Sequence, residues 1–300
     1  MNAHHGWRRD TREPAVALPP LSCDCAVHVF DPARVDLLLP GRRYEPPVAW
    51  LDELRTLHER LGVQRAVLVQ PSVYGNDHAV LLTALRADPA RYRGVALLDD
   101  SVSDAACEEL HAAGVRSARF NILSRFGAAF DTTAFRRQVR RAEALGWSIS
   151  LHATADELAA HARLLLDIRA EVVVDHLAYL NPGDLDGEGF RFLREAVTRG
   201  HWWVKASRVD HRFAPPYDDA VELIRRVVAL NPWRMLWATD WPHPLYDVAT
   251  TTMPNDADLV ELLARAVPDA ALREQILVHN PARVFGFPDT CTPFPRRCLR

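Results

Sequence analysis

Three hundred residues, 48% of them hydrophobic and 25% charged, can bury a large core. The formal net charge of −3 gives no electrostatic case for nucleic acid or an anionic membrane surface. No run approaches the roughly 18 apolar residues of a membrane span, and the opening MNAHHGWRRDTREPAVALPP lacks the apolar stretch of an export signal.

The first structural signal follows that opening, which reads as a disordered leader over residues 1–20. From there short apolar runs alternate with amphipathic helical patterns, as βα units building a parallel sheet do. In chain order the spacing predicts a strand over 23–30, a helix over 50–61, a strand over 66–71 and a helix over 77–87. A strand over 94–99 and a helix over 105–113 follow, then 117–122 with 133–145, and 148–153 with 155–166. The last pairs are 171–176 with 189–199, 202–206 with 218–230, and 235–240 with 256–266. Eight such alternations close into a (β/α)8 barrel, one domain over residues 21–287, with a loose tail over 288–300. Runs such as VVVD are apolar on consecutive residues, as strands buried on both faces should be. The pair Trp202–Trp203 is expected to point one ring inward and one outward.

Five cysteines, Cys23, Cys25, Cys107, Cys291 and Cys298, form no CxxC pair and no disulfide-like framework, which fits a reducing cytoplasm.

The chemistry concentrates at the ends of the apolar runs, where barrel enzymes carry their catalytic residues. The run TDWPHP sets Asp240 at the end of the last strand, and His28, His152 and His176 each end an earlier one. A carboxylate there can take a proton from water attacking a carbonyl and return it to the leaving oxygen. Histidine donors can stabilise the developing oxyanion. Arg119 and Arg125 leave strand four, and guanidinium forks suit carboxylates. Arg212, or else Arg208, supplies another after strand seven, where Lys205 is placed to face the pocket. His243 orients either the aspartate or the substrate, or serves structure alone.

These segments resemble the amidohydrolase-2 group of the amidohydrolase superfamily, and within it the lactonase branch. The resemblance runs from about residue 23 to 287, through CDCAVHVFDP, QPSVYGNDHAVLLTAL, AGVRSARFNILSR, VVDHLAYLNP, WVKAS, WATDWPHP and HNPARVFGF. It implies a hydrolase of a carboxylated lactone, with Asp240 as general base, His176 on the substrate carbonyl, and Ser72, Tyr44 and Tyr74 among the contacts. It also implies chemistry with no required metal or cofactor, a small anionic lactone as the partner, no nucleic acid or membrane, and a homo-oligomer as one possible assembly. One position departs from the pattern: Ala26 stands where the opening motif has the first of two histidines. Two histidines at i and i+2 would share a face and chelate one metal. The remaining His28, His152, His176 and Asp240 are still four nitrogen and oxygen donors, enough in number for a divalent ion such as zinc. The alternatives left open are an aldarolactone isomerase or sugar lactonase, a metal-dependent decarboxylase, and a ligand-binding relative silenced at Ala26.

Overall fold

The computed structural model describes residues 6–124, 130–246 and 252–288. Its eight strands pair in parallel and in sequence order. They are β1 (Cys23–Val27), β2 (Arg65–Val69), β3 (Tyr92–Leu97), β4 (Val115–Asn121), β5 (Ser148–His152), β6 (Val172–Val174), β7 (Trp202–Ala206) and β8 (Met235–Trp237). The ring closes through a bridge between Val27 and Trp241. There the amide of His28 donates to the Trp241 carbonyl (2.7 Å), and that of Asp240 to the Ala26 carbonyl (3.1 Å). The expected (β/α)8 barrel is the observed fold.

Helices wrap the sheet: α1 (Leu51–Leu61), α2 (Ala79–Ala87), α3 (Asp104–Ala113), α4 (Thr132–Ala144), α5 (Ala155–Ala160), α6 (Ala162–Leu165), α7 (Glu188–Thr198), α8 (Asp218–Val228) and α9 (Asp256–Ala266). Two short helices, α10 (Ala270–Glu274) and α11 (Asn280–Phe285), end the described chain. Local chemistry sets their limits. Asp131 caps α4 by accepting from the amides of Thr133 and Ala134, and Thr154 with Glu157 forms a capping box on α5. Gly62 leaves α1 with φ +81°, a left-handed exit that a side chain would strain. No helix among the described residues is long and apolar enough to cross a membrane.

Two apolar layers result. Inside the barrel, Cys23, Cys25, Val67, Val95, Val173, Trp203 and Leu236 pack together. Outside, between sheet and helices, lies the larger layer that contains Trp202, whose ring meets Phe192 edge-on at 5.6 Å. The two tryptophans therefore do point to opposite faces.

Two expectations change. Residues 6–20, read as part of a disordered leader, lie against the barrel: Trp7 is buried and stacks edge-on with Trp241 at 5.6 Å. Arg12 binds Asp258 and Glu261 of α9. An indole and a guanidinium with partners were enough to order a segment that has no periodicity of its own. The strands that carry the site are also shorter than their apolar runs, with β6 ending at Val174 and β8 at Trp237. The residues just beyond them turn out of the ladder and become the site.

Candidate active site

At the C-terminal end of the strands lies a cavity of about 200 Å³. Its wall includes His28, Tyr44, Ser72, Arg119, His152, His176, Arg208 and Asp240. Gln70, Leu97 and Asn121 join it from β2, β3 and β4, each at or just past a strand end, and Pro71, Pro244 and Leu245 also line it.

Asp240 is the centre of the arrangement. It is 1% exposed and sits at φ +64°, a conformation that costs a non-glycine residue about 1 kcal/mol or more. Its Oδ2 accepts from Arg208 Nη1 (2.9 Å), and its Oδ1 lies 3.4 Å from His28 Nε2. Burial works against its charge, but the Arg208 guanidinium and the contact with His28 hold the carboxyl well below its ordinary range. His28 is itself fixed by donating Nδ1–H to the Val69 carbonyl (2.9 Å).

His176 begins a run in which four consecutive residues, His176, Leu177, Ala178 and Tyr179, have φ between +50° and +56°. Such a left-handed turn persists only where its surroundings over-determine it. Here His176 Nδ1 is 2.9 Å from Ser207 Oγ, the Ala178 amide donates to the Asp175 carbonyl, and the Tyr179 hydroxyl shares a hydrogen bond with His152 Nε2 (2.5 Å). The turn brings His176 and His152 edge to face at 5.2 Å. Both are neutral at physiological pH, because burial lowers His176 to about 3 and, with Arg119, lowers His152 well below its usual value. Two uncharged imidazoles thus face one buried carboxylate.

Beneath them lies an ion cluster around Asp175. It accepts from Lys205 Nζ (2.8 Å) and from Ser150 Oγ (3.1 Å), and Arg119 Nε stands 3.2 Å away. Burial opposes the charge, yet Lys205 and Arg119 hold Asp175 at about 2.

The structure distributes the sequence candidates unevenly. His28, His152, His176, Asp240, Arg119, Ser72 and Tyr44 meet at the cavity. The Tyr44 phenol is pushed up by burial and by Asp240. Lys205 does not line the cavity; it is 1% exposed and shares the inward face of β7 with Trp203, where its ammonium is bound to Asp175 just past β6. Tyr74 is buried behind Phe30 rather than lining the wall. Arg212 turns away to the Leu180 carbonyl and the Tyr179 ring. Arg208 takes the inward place, since its φ of +57° reverses the chain after β7. His243 is fully buried between Asp256 (Nε2–Oδ1 3.0 Å) and Asp210 (Nδ1–Oδ2 3.5 Å) and does not reach the cavity. Arg125 lies outside the described residues. Gln70 and Asn121 were not expected; the signal was their place one step beyond an apolar run.

The four donors proposed for a metal do not fit one. Among the described residues, no three of His28, His152, His176 and Asp240 bring ligand atoms within 4.8 Å of one another. Asp240 spends Oδ2 on Arg208, and His152 spends Nε2 on Tyr179. Ala26 offers only a methyl group within the barrel's interior packing. A guanidinium supplies the positive charge that a cation would otherwise bring to the carboxylate.

The amidohydrolase family model matches residues 23–287. The chain is 35% identical over 275 residues to a 4-sulfomuconolactone hydrolase of Rhizobium radiobacter, spanning 90% of this chain and 91% of that one. It is 32% identical over 292 residues to a 2-pyrone-4,6-dicarboxylate hydrolase of Comamonas testosteroni, spanning 93% and 94%. A crystal structure from Agrobacterium tumefaciens superposes with a TM-score of 0.81 at 28% identity, over 92% of this chain and 100% of the other. With a family match over nearly its whole barrel and relatives above 30% identity along more than nine-tenths of their length, the chain belongs to the amidohydrolase family.

Proposed function

We propose that this protein hydrolyses a carboxylated lactone, with Asp240 as the base that activates water and no metal in the bond-making step. The observation that carries the reading is the buried Asp240 carboxylate, held by Arg208 and faced by two neutral histidines across a cavity that also holds Arg119. The two hydrolases named above act on lactones bearing a sulfonate or carboxylates, which this cationic wall suits.

In the proposed reaction a water molecule gives its proton to Asp240 and its oxygen to the ester carbonyl carbon. The carbonyl electron pair moves onto oxygen, where His176 and Arg119 donate to the tetrahedral oxyanion. Collapse breaks the ring C–O bond, and Asp240 returns the proton to the leaving oxygen. Water is thereby added across the ester, giving a ring-opened acid.

A deeply depressed carboxylate is a weak base, and an efficient one has a pKa nearer the working pH. The substrate resolves this. An anionic carboxylate of the lactone competes for the guanidiniums of Arg208 and Arg119, and its own negative charge raises Asp240. Uncharged esters lack that effect, so selectivity for anionic lactones resides in the chemical step as well as in binding.

The test is a set of initial rates on carboxylated lactones and their neutral methyl esters, with wild-type protein and Arg119→Met. The wild type is expected to prefer the free acids, and Arg119→Met to lower kcat/KM for them by about ten- to a hundredfold, as loss of a charge-assisted contact worth about 1.5–3 kcal/mol does. Equal turnover of acid and methyl ester would sink the proposal.

A further inference from the structure

A second cluster of ligand atoms lies behind the cavity, made by the turn after β7 and the loop after β8. We propose that Asp210, His211 and His243 form a binding site for a zinc-like divalent cation, separate from the reacting carboxylate. One carboxylate oxygen and two imidazole nitrogens from these residues all lie within 4.8 Å of one another. Asp210 Oδ2 is 3.5 Å from His243 Nδ1 and 3.9 Å from His211 Nε2. Zinc bound at about 2.0–2.1 Å in a tetrahedron sets its ligand atoms about 3.3 Å apart. The Asp210–His243 pair is already close to that spacing, whereas the Asp210–His211 pair must close by about 0.6 Å and the two imidazoles must approach each other by a side-chain rotation.

A second observation, on the same residues, points to a ligand. Asp210 is 2% exposed, and neither of its carboxylate oxygens, nor His211 Nε2, has a hydrogen-bond partner among the described residues. The carboxylate is left with longer ion contacts, to His243 at 3.5 Å and His211 at 3.9 Å, and buried carboxylate oxygens without a hydrogen bond are rare. The outer shell is also in place: Asp256 Oδ1 accepts from His243 Nε2 at 3.0 Å, the carboxylate–histidine arrangement that orients an imidazole toward a metal. On the other side of the ring Nδ1 faces Asp210 Oδ2 at 3.5 Å.

Imidazole and carboxylate donors favour zinc or a neighbouring first-row ion over magnesium or calcium. Three protein ligands leave a fourth position for water. On binding, Nδ1 of His243 gives up its proton to solvent, and the hydrogen of His211 moves to Nδ1. The long 3.3 Å contact from Arg208 Nη2 to that nitrogen then loosens, while Arg208 keeps Asp240 and the Pro244 carbonyl (3.1 Å). The ion would pin the β7 turn to the β8 loop, the two segments that deliver Arg208 and Asp240. Its role is structural, so the inference stands or falls apart from the proposed hydrolysis.

The experiment is a calorimetric zinc titration of chelator-treated full-length protein, with melting temperature followed in parallel. Wild-type protein should bind one zinc per chain, release protons, and melt at a higher temperature when loaded. Affinity should fall by at least about tenfold in His211→Gln and Asp210→Asn, fall about 10–100-fold in Asp256→Asn, and be unchanged in His176→Gln. His211 is partly exposed, so its variant keeps the fold even if the buried aspartates do not tolerate change. No stoichiometric zinc in the wild type would overturn the proposal. So would zinc that survives His211→Gln and is lost in His176→Gln.

Discussion

Asp175→Asn is expected to destabilise the protein by about 3–5 kcal/mol, the cost of leaving a buried charge without its partner. The stranded group is Lys205, the chain's single lysine, which lies 2.8 Å from Asp175 with its side chain 2% exposed. Arg119 loses a neighbour in the same stroke. Denaturant unfolding measures the loss, and a second substitution, Lys205→Met, should recover a large part of it by removing the orphaned charge. A loss below about 1 kcal/mol would show that the cluster is not a buried ion pair in solution. The same pairing sets a pH dependence. Because Asp175 is held at about 2 in the folded state against about 3.9 unfolded, its stabilisation is complete above the unfolded value. It is lost as pH falls from there through the folded one.

Asp240→Asn is expected to lower kcat by about 10²–10⁴-fold, the usual contribution of a positioned base, with little change in fold. Asparagine keeps the shape and an acceptor for Arg208 but cannot take the proton. The pH profile of the wild type carries further information. The free enzyme keeps Asp240 ionised and His176 neutral down through the ordinary carboxylate range. Thus kcat/KM should show no acid limb from these two groups above about pH 4. The limb of kcat should lie higher, because the bound anionic substrate raises Asp240. Coincident limbs would contradict that account of the base.

The barrel was legible because strands covered on both faces must be apolar on consecutive residues, and VVV in β6 and MLW in β8 announce that without ambiguity. The site was legible where a residue continues the strand's direction, as His28, Arg119 and His152 do. It was less so where the chain reverses. Alternation along β7 assigns Lys205 a face but does not say that Asp175 from β6 will bind it. Arg208 and Arg212 look equivalent in KASRVDHRF. A left-handed φ at Arg208 sends one to Asp240, while the other packs on Tyr179. No propensity argument places a non-glycine residue at φ +57°, because the local cost is recovered only from contacts made across the barrel mouth. The same reason hid the Tyr179–His152 hydrogen bond, which depends on four left-handed residues in a row. His243, three residues after the aspartate in sequence, is instead held by Asp256 at the start of α9.

The central claim is that Asp240 adds water across a carboxylated lactone. The most direct test is to run ring opening of such a lactone in water enriched in heavy oxygen, and to follow the label by mass spectrometry in wild-type and Asp240→Asn protein. The account predicts one labelled oxygen in the newly formed carboxylate, at a rate that collapses in the variant. A ring-rearranged product without label would contradict it and assign the site to lactone isomerisation instead.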